Sequence, residues 1–243
     1  KNFQKIGNKT AEDIINKLNL NPDLNVRRLK DEEIIKLYNI FKSYNFKKPS
    51  ATSLSPVGEN FVIGIKEIFT PEFVAYNSRK PSSYEGHPFI VETAIAYGGN
   101  IPVPVENEIN LFRFANKIPL IYDSYNDVSM KVIKQINWNI YKIDIYKEPV
   151  AFFVHVCSTK IPYKTLGKEY IANVPELAKE IELSIRKNAR KLSAYLNKKR
   201  LYEYQKIRYS YLKEYLEKIF DYACKLGEVE IKKVNLETII NNG

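Results

Sequence analysis

The chain has little cysteine and no long apolar run, and both shortages narrow the kinds of protein it can be. Its 243 residues include two cysteines, Cys157 and Cys224, which lie far apart without paired spacing. This excludes a disulfide framework and a clustered zinc site, so we interpret both as buried thiols. No apolar run approaches the roughly 18 residues of a membrane-spanning helix, and the N-terminal sequence lacks the apolar core of a signal peptide. We therefore expect a soluble cytoplasmic protein with no membrane partner.

Common enzyme motifs are missing as well. The sequence contains no Walker P-loop, no Gly-x-Gly-x-x-Gly, no His-Glu-x-x-His and no Gly-x-Ser-x-Gly. Its two histidines are His87 and His155, and His155 alternates with apolar strand residues, which favours a core or interface position over a catalytic one. The carboxylates Glu67, Glu92 and Asp123 lie in or beside predicted strands without metal-ligand spacing. The sequence thus predicts no catalytic residue and no metal ligand.

Positive charge, by contrast, is abundant and concentrated. The formal charge of +10 and the pI of about 9.3 point to an acidic partner, most commonly nucleic acid. Like charges one helical turn apart destabilise a free helix, which favours such a partner over the alternative of a solvated helix face. Between residues 186 and 213 ten bases face a single acid, Glu203, and these bases are Arg186, Lys187, Arg190, Lys191, Lys198, Lys199, Arg200, Lys206, Arg208 and Lys213.

Helical patterns dominate the N-terminal part, to about residue 48. We predict that Thr10 caps a first helix, which ends before Pro22, and that a second helix begins at Asp31. The segment 47–59, KKPSATSLSPVGE, is rich in proline and hydroxyl residues and indicates a domain boundary. We accordingly divide the chain into residues 1–52, residues 53–227 and a C-terminal tail, residues 228–243.

Beyond this boundary the pattern becomes that of strands, followed by one very long helix. From Pro175 onward apolar residues recur every three or four positions, without glycine before Gly227, which predicts a helix over about 175–226. The whole order of elements predicts an α+β fold. A helix is predicted over 128–138, and strands or short elements over 61–65, 73–76, 89–97, 109–114, 120–122 and 150–156.

A lysine-rich loop follows the last predicted strand. Lys160, Lys164 and Lys168 lie within nine residues, and the sequence after Lys168 has a helical pattern. We therefore expect the three lysines at a junction between a strand and a helix, where backbone N–H groups and the helix dipole favour phosphate. Taken in isolation, the loop favours three solvated lysines over an anion site.

Several segments, taken in order, resemble the B subunit of DNA topoisomerase VI, the archaeal type IIB enzyme. They are SLSPVGE at 53–59, RKPSSYEGHPFIVETAIAYGG at 79–99, NLFRFANKIPLIYD at 110–123, WNIY at 138–141 and VHVCSTKIPYKTLGKEYIANVPELAKEI at 154–181. The N-terminal FQKIGNKTAEDII resembles that family's helix-two-turns-helix insert. Asn139 stands where the family's Trp-Lys-x-Tyr motif has lysine.

The resemblance implies a fold and a role for the lysine loop. Residues 1–52 would be the helix-two-turns-helix domain, and residues from about 55 a transducer domain with the ribosomal S5 domain 2-like β-α-β fold, ending in the long helix. The family's transducer supplies a switch lysine to the γ-phosphate of ATP, which is held with Mg²⁺ in an adjacent GHKL-type ATPase domain. We assign that role to Lys168, with Lys160 as the first alternative and Lys164 as the second. The motifs of the ATPase domain are absent from these 243 residues, so the chain alone is not expected to bind ATP in the family's way.

The resemblance also implies partners and a reaction. The enzyme relaxes and decatenates DNA by double-strand passage, and its partners are the A subunit, whose tyrosine cuts DNA, the ATPase domain on the same or a separate polypeptide, and a second B subunit joined by ATP-dependent dimerisation. The protein would then lie with the nucleoid, and the nine bases from Arg186 to Arg208 would contact DNA or the A subunit. Two alternatives are a non-enzymatic nucleic-acid-binding module and a regulatory partner of an A-subunit-like protein without strand passage.

Overall fold

The computed structural model describes residues 6–44, 46, 51–105 and 108–227. The chain divides into two compact units, Lys1–Leu192 and Ser193–Gly243. The predicted C-terminal tail, residues 228–243, lies outside the described residues, and the boundary at residue 52 stays a prediction. No helix among the described residues is both long and apolar enough to span a membrane.

The first helix, α1 (Asn8–Leu18), begins earlier than the sequence predicted. Its N-cap is Gly7, and the Ala11 N–H already donates to the Gly7 carbonyl at 3.1 Å. The prediction that Thr10 caps this helix was therefore wrong, because Thr10 lies inside the first turn. The helix ends at Asn19, whose left-handed backbone (φ 51°) ends the helical hydrogen-bonding pattern well before Pro22.

The second helix, α2 (Asp31–Ser43), begins at the predicted residue. The Glu33 carboxylate accepts a hydrogen bond from the Lys30 N–H at 2.8 Å, which satisfies one of the free donors at the start of the helix. The Tyr44 hydroxyl donates to the Asp13 carboxylate at 2.9 Å and joins the end of α2 to α1. This bond raises the pKa of Tyr44 and lowers that of Asp13.

The third helix, α3 (Asn60–Phe69), replaces the strand predicted over 61–65. Phe61 and Ile65, four residues apart, are buried, whereas Ile63 between them is half exposed. Four-residue spacing puts Phe61 and Ile65 on one face of a helix. The prediction was wrong because it assumed the two-residue period of a strand and not the 3.6-residue period of a helix. Phe61 packs edge-on against Tyr76, Phe114 and Phe153.

A six-stranded mixed sheet forms the centre of the first unit. Its order is β1-β3-β6-β4-β5, with β2 also paired to β3, and among the described residues only β4 and β6 are parallel. The predicted strands at 73–76, 89–97, 109–114 and 150–156 are confirmed, and residues 120–122 form no strand. The strands are β1 (Phe73–Ser78), β2 (Ser82–Tyr84), β3 (His87–Tyr97), β4 (Asn110–Ala115), β5 (Ile118–Pro119) and β6 (Val150–Ser158).

Both faces of the sheet are covered, which explains the nearly continuous apolar sequences of β3 and β6. Phe153 belongs to the cluster under α3, and its neighbour Phe152 contacts Trp138 on the opposite face, with ring centroids 5.2 Å apart. The predicted helix at 128–138 is confirmed as α4 (Val128–Gln135), and a 3₁₀ turn, Trp138–Tyr141, follows it.

The long helix, α5 (Pro175–Gly227), confirms the prediction over 175–226 and completes the α+β fold. In the first unit, Leu177, Ile181, Ile185, Ala189 and Leu192 are fully buried at the predicted helical spacing. In the second unit nearly every residue from 197 to 227 is exposed, including several tyrosines and leucines.

The turn after β3 gives a direct test of the packing. Gly99 has a φ of +64°, and a Cβ added there would lie 2.1 Å from the Thr70 carbonyl oxygen. We expect Gly99→Ala to lower the free energy of unfolding by about 2 kcal/mol or more, because the left-handed backbone and the close approach both disfavour a side chain. Gly64→Ala, in the middle of α3 with open space around it, is the matched control.

We expect the Gly64→Ala control to stabilise the protein by roughly 0.5–1 kcal/mol, since alanine favours a helix over glycine. Chemical denaturation of the two variants and the unsubstituted chain measures both changes. Equal stability of the two variants would contradict the described turn at Gly99.

Candidate functional site

The lysine loop starts where β6 ends, and its first residues are held to the neighbouring strand connections. The Asn116 side chain accepts from the Ser158 N–H and donates to the Ser158 carbonyl, both at 2.9 Å. The Ser158 hydroxyl lies 3.0 Å from the Pro88 carbonyl and accepts from the Lys160 N–H at 3.2 Å. Side chains therefore fix the backbone at the point where Lys160 leaves the sheet.

The other end of the loop is closed by a small antiparallel bridge. Tyr163 pairs with Ile171, the Lys164 N–H donates to the Tyr170 carbonyl at 3.3 Å, and the Ala172 N–H donates to the Pro162 carbonyl at 2.7 Å. Residues 164–170 thus form the narrow tip of a hairpin, and Ile171 at its base is 2% exposed.

Lys168 has an uncommon backbone conformation at this tip. Its φ is +55°, in the left-handed region that a non-glycine residue seldom adopts, and its N–H donates to the Thr165 carbonyl at 3.2 Å. The Thr165 hydroxyl lies 3.3 Å from the Glu169 carboxylate, which closes the same turn. Leu166 at the end of the tip is fully exposed. The turn therefore holds the Lys168 backbone while the residues around it face solvent.

The three lysines differ in their surroundings. The Lys160 ammonium lies 3.9 Å from the Glu85 carboxylate, both groups being largely exposed. The ammonium groups of Lys164 and Lys168 are exposed and have no ion-pair or hydrogen-bond partner among the described residues. These two lysines can accept an anion without first breaking an internal ion pair.

The structure corrects one prediction about this loop: Lys168 is not at a helix start. The helix α5 begins at Pro175, and residues 169–174 run through the bridge at Ile171 with Val174 also buried. Because the dipole of a helix acts only within its first turn, it does not help an anion at Lys168. Attraction of an anion to the tip comes from the lysine side chains themselves.

Sequence reasoning missed a buried acid at the centre of the sheet. Glu92 is fully buried, and its carboxylate accepts hydrogen bonds from the N–H groups of Val57 and Gly58, both at 2.8 Å, and from the Tyr76 hydroxyl. His155 Nδ1 lies 2.7 Å from the same carboxylate, on the paired position of β6. A glutamate in the apolar strand sequence FIVETAIAY was the signal that could have indicated this cluster.

The hydrogen bonds around Glu92 decide its ionisation. Burial alone would raise the pKa of this carboxyl, but the donors from His155, Tyr76, Val57 and Gly58 outweigh it and lower the pKa to about 2. Burial and the neighbouring carboxylate raise the pKa of Tyr76. His155 Nε2 accepts from the Lys117 N–H at 3.0 Å, so its Nδ1 carries the proton that is donated to Glu92. The charged carboxylate thereby ties the segment before α3 to β1, β3 and β6.

A small pocket of about 230 Å³, lined mainly by polar residues, opens beside the start of the lysine loop. The Lys117 ammonium donates to the Ser55 hydroxyl at 3.0 Å across this pocket. Cys157 lines the pocket as a buried thiol, as predicted, and burial raises its pKa. Cys224, in the second unit, is only half-buried, so the same prediction was wrong there.

The predicted basic residues lie along α5 in both units. In the first unit Arg186, Lys187, Arg190 and Lys191 are exposed, and the Arg186 guanidinium lies 2.7 Å from the Glu182 carboxylate. Their counterparts in the second unit are likewise at the helix surface and follow within three helical turns, namely Lys198, Lys199, Arg200, Lys206 and Arg208.

Among residues 6–44, 46, 51–105 and 108–227, no three His, Cys, Asp or Glu side chains are placed to hold a metal ion.

The fold and the loop define a class of protein: an α+β domain whose sheet leads into a lysine-rich loop and then into a long last helix. A family model described as the transducer of the topoisomerase VI B subunit matches residues 49–208. The chain belongs to this family, which confirms the predicted resemblance.

Curated relatives agree with the family model. The B subunit of type 2 DNA topoisomerase 6 from Saccharolobus solfataricus is 48% identical over 200 residues, which cover 82% of this chain and 37% of the relative. The corresponding proteins from two strains of Saccharolobus islandicus, L.S.2.15 and M.14.25, give the same values. The chain thus spans little more than a third of the length of these relatives.

A solved structure was matched as well. The B subunit of DNA gyrase from Myxococcus xanthus matches at a TM-score of 0.36 and 13% identity, over 54% of this chain and 38% of that one. A similarity of that size supports no conclusion about the function of this chain.

Proposed function

We propose that this chain is the part of a topoisomerase VI B subunit that couples the nucleotide state of a GHKL-type ATPase domain to DNA cleavage by the A subunit. The enzyme would relax and decatenate DNA by double-strand passage. The observation that carries the proposal is the Lys168 ammonium, which is exposed and unpaired among the described residues, on a tip whose two ends are paired with each other. The loop leads into α5 four residues after Ile171.

In this proposal Lys168 contacts the γ-phosphate of ATP held, with Mg²⁺, by the ATPase domain. Lys160 is the first alternative and Lys164 the second. A charge-assisted hydrogen bond contributes roughly 1.5–3 kcal/mol, whereas changing a two-state equilibrium from 1:99 to 99:1 requires about 5.5 kcal/mol. A single lysine is therefore insufficient, and ATP-dependent dimerisation with a second B subunit supplies the remainder.

The long helix is the proposed output of the domain. Its buried residues from Leu177 to Leu192 attach it to the sheet that carries the lysine loop, so a displacement of the sheet also displaces the helix. The nine bases from Arg186 to Arg208 are proposed to contact DNA or the A subunit. Past Arg208 the charge is balanced, because three lysines face three acids up to Gly227.

DNA binding separates this proposal from that of an independent nucleic-acid-binding module. We expect this chain alone to bind a fluorescent duplex weakly, and to bind it more tightly once the A subunit is added. Replacing Lys206 and Arg208 by alanine should reduce the slope of log affinity against log salt by about 0.9 for each phosphate that is no longer neutralised. Fluorescence anisotropy over a salt series measures both effects.

The matched control is Lys218→Ala, because the Lys218 ammonium already pairs with Glu214 at 2.7 Å. We expect it to leave the salt slope unchanged. Tight binding by the chain alone, with no further gain from the A subunit, would overturn the proposal in favour of the independent module.

A further inference from the structure

A buried ion pair lies beneath the lysine loop. The Arg113 guanidinium, on β4, and the Asp127 carboxylate, at the N-cap of α4, are 3.2 Å apart and almost completely shielded from solvent. An ion pair in such a place is a poor source of stability by itself, because desolvation offsets most of the attraction. Its other hydrogen bonds show what the pair holds together.

Arg113 forms hydrogen bonds with the backbone of the segment that connects β5 to α4. Its Nη2 donates to the carbonyls of Leu120 and Tyr122 at 3.1 and 2.7 Å, and its Nη1 lies 3.4 Å from the Asp123 carbonyl. Residues 120–122 were predicted to form a strand, but the carbonyls of Leu120 and Tyr122 bond to the Arg113 side chain instead of to a neighbouring strand. The Arg113 guanidinium therefore holds this segment from within.

Asp127 reaches the lysine loop directly. One carboxylate oxygen accepts from the Ser129 N–H at 2.8 Å and caps α4. The other accepts from the Ile171 N–H at 3.0 Å, and the Val128 N–H donates to the Ile171 carbonyl at 3.2 Å. Ile171 is the bridge partner of Tyr163 at the base of the loop. The ion pair thus fixes the base of the hairpin that carries Lys164 and Lys168.

We propose that Arg113 and Asp127 are positioning residues for the nucleotide-sensing lysine: they hold the base of the loop so that Lys168 is presented in one place. The inference depends on the proposed function only for the identity of the anion that Lys168 binds. The attachment of the loop base to Asp127 and Arg113 is a property of this chain. Loss of the Asp127 charge weakens the hold on Ile171 and leaves the buried Arg113 guanidinium without its carboxylate, so the base of the hairpin loses part of its support.

Hydrogen exchange tests, without any nucleotide, whether Asp127 holds the base of the loop. In Asp127→Asn we expect the amides of residues 164–171 to exchange about tenfold faster, because the ion pair and one of the two N–H hydrogen bonds to the side chain are removed. The matched control is Glu180→Gln, which breaks the ion pair between Arg79 and Glu180 (2.6 Å) elsewhere in the same unit. We expect that variant to leave exchange in the loop unchanged. Unchanged exchange in Asp127→Asn would overturn the inference.

A double-mutant cycle tests the functional consequence in the enzyme reconstituted with the ATPase domain and the A subunit. We expect Asp127→Asn to reduce ATP-dependent strand passage about tenfold in the presence of Lys168, since a misplaced reacting group loses rate steeply. In a Lys168→Ala background the same substitution should have little further effect. An equal loss in both backgrounds would show a merely structural role and overturn the inference. No effect of Lys168→Ala alone would instead overturn the proposed function, and the exchange result would stand independently.

Discussion

Replacement of Lys168 by alanine is expected to reduce ATP-dependent strand passage by the reconstituted enzyme about tenfold to a hundredfold, which corresponds to the loss of one charge-assisted hydrogen bond. ATP hydrolysis should fall in parallel, because the γ-phosphate loses a stabilising cation. Lys168 has a left-handed backbone, and alanine adopts that conformation at about the same cost as lysine because both residues carry a Cβ. The substitution therefore removes the ammonium group with little change in the loop. Relaxation of supercoiled plasmid and phosphate release measure the two activities.

The neighbouring lysines provide matched controls for this prediction. Lys160→Ala and Lys164→Ala remove the same charge from the same loop, and Lys160 already has Glu85 at 3.9 Å. We expect both variants to retain most of the activity. A severe loss in one of them with a normal Lys168→Ala would move the role to that lysine. Normal activity in all three would contradict a role for this loop in nucleotide sensing.

The second large effect is expected at Glu92. Both of its carboxylate oxygens accept hydrogen bonds, one from the Val57 N–H and the other from the Gly58 N–H. In Glu92→Gln the amide NH₂ replaces one of these oxygens, so it faces another donor and that hydrogen bond is lost. Breaking a buried charge network from one side costs about 3–5 kcal/mol. For a protein of this size we expect the Tm to fall by about 10 °C. Differential scanning calorimetry measures the change, and Glu67→Gln on the exposed face of α3 is the matched control, with an expected change within about 0.5 kcal/mol.

Acid should remove the stabilisation by the Glu92 carboxylate from the unsubstituted chain. The pKa of Glu92 is about 2 in the folded state against 4.5 ordinarily, so the carboxylate stabilises the fold above pH 4.5 and loses this effect as the pH falls towards 2. The shift corresponds to roughly 3 kcal/mol. We therefore expect the stability difference between the unsubstituted chain and Glu92→Gln to narrow over this range. A difference that stays constant from pH 5 to pH 2 would show that Glu92 is not ionised in the fold.

Local patterns predicted most of the elements correctly, and the errors have identifiable causes. At Phe61 and Ile65 a short apolar stretch fitted both a strand and a helix, and only the packing of Phe61 against the sheet selects the helix. After Lys168 the helical pattern was read six residues too early, because Ile171 and Val174 are apolar for burial at the base of the loop. Sequence periodicity does not distinguish these two reasons for an apolar residue.

The sequence alone determined the family, the α+β class, the long helix from Pro175 and the concentration of positive charge on it, because these depend on motifs, composition and regular spacing within one stretch of chain. The tertiary structure alone decided how the lysine loop is held. Glu92 and His155 are 63 residues apart, and Asp127 and Ile171 are 44 apart. Buried polar groups need partners that only folding brings within hydrogen-bond distance, and no local pattern in the sequence specifies which partners these are.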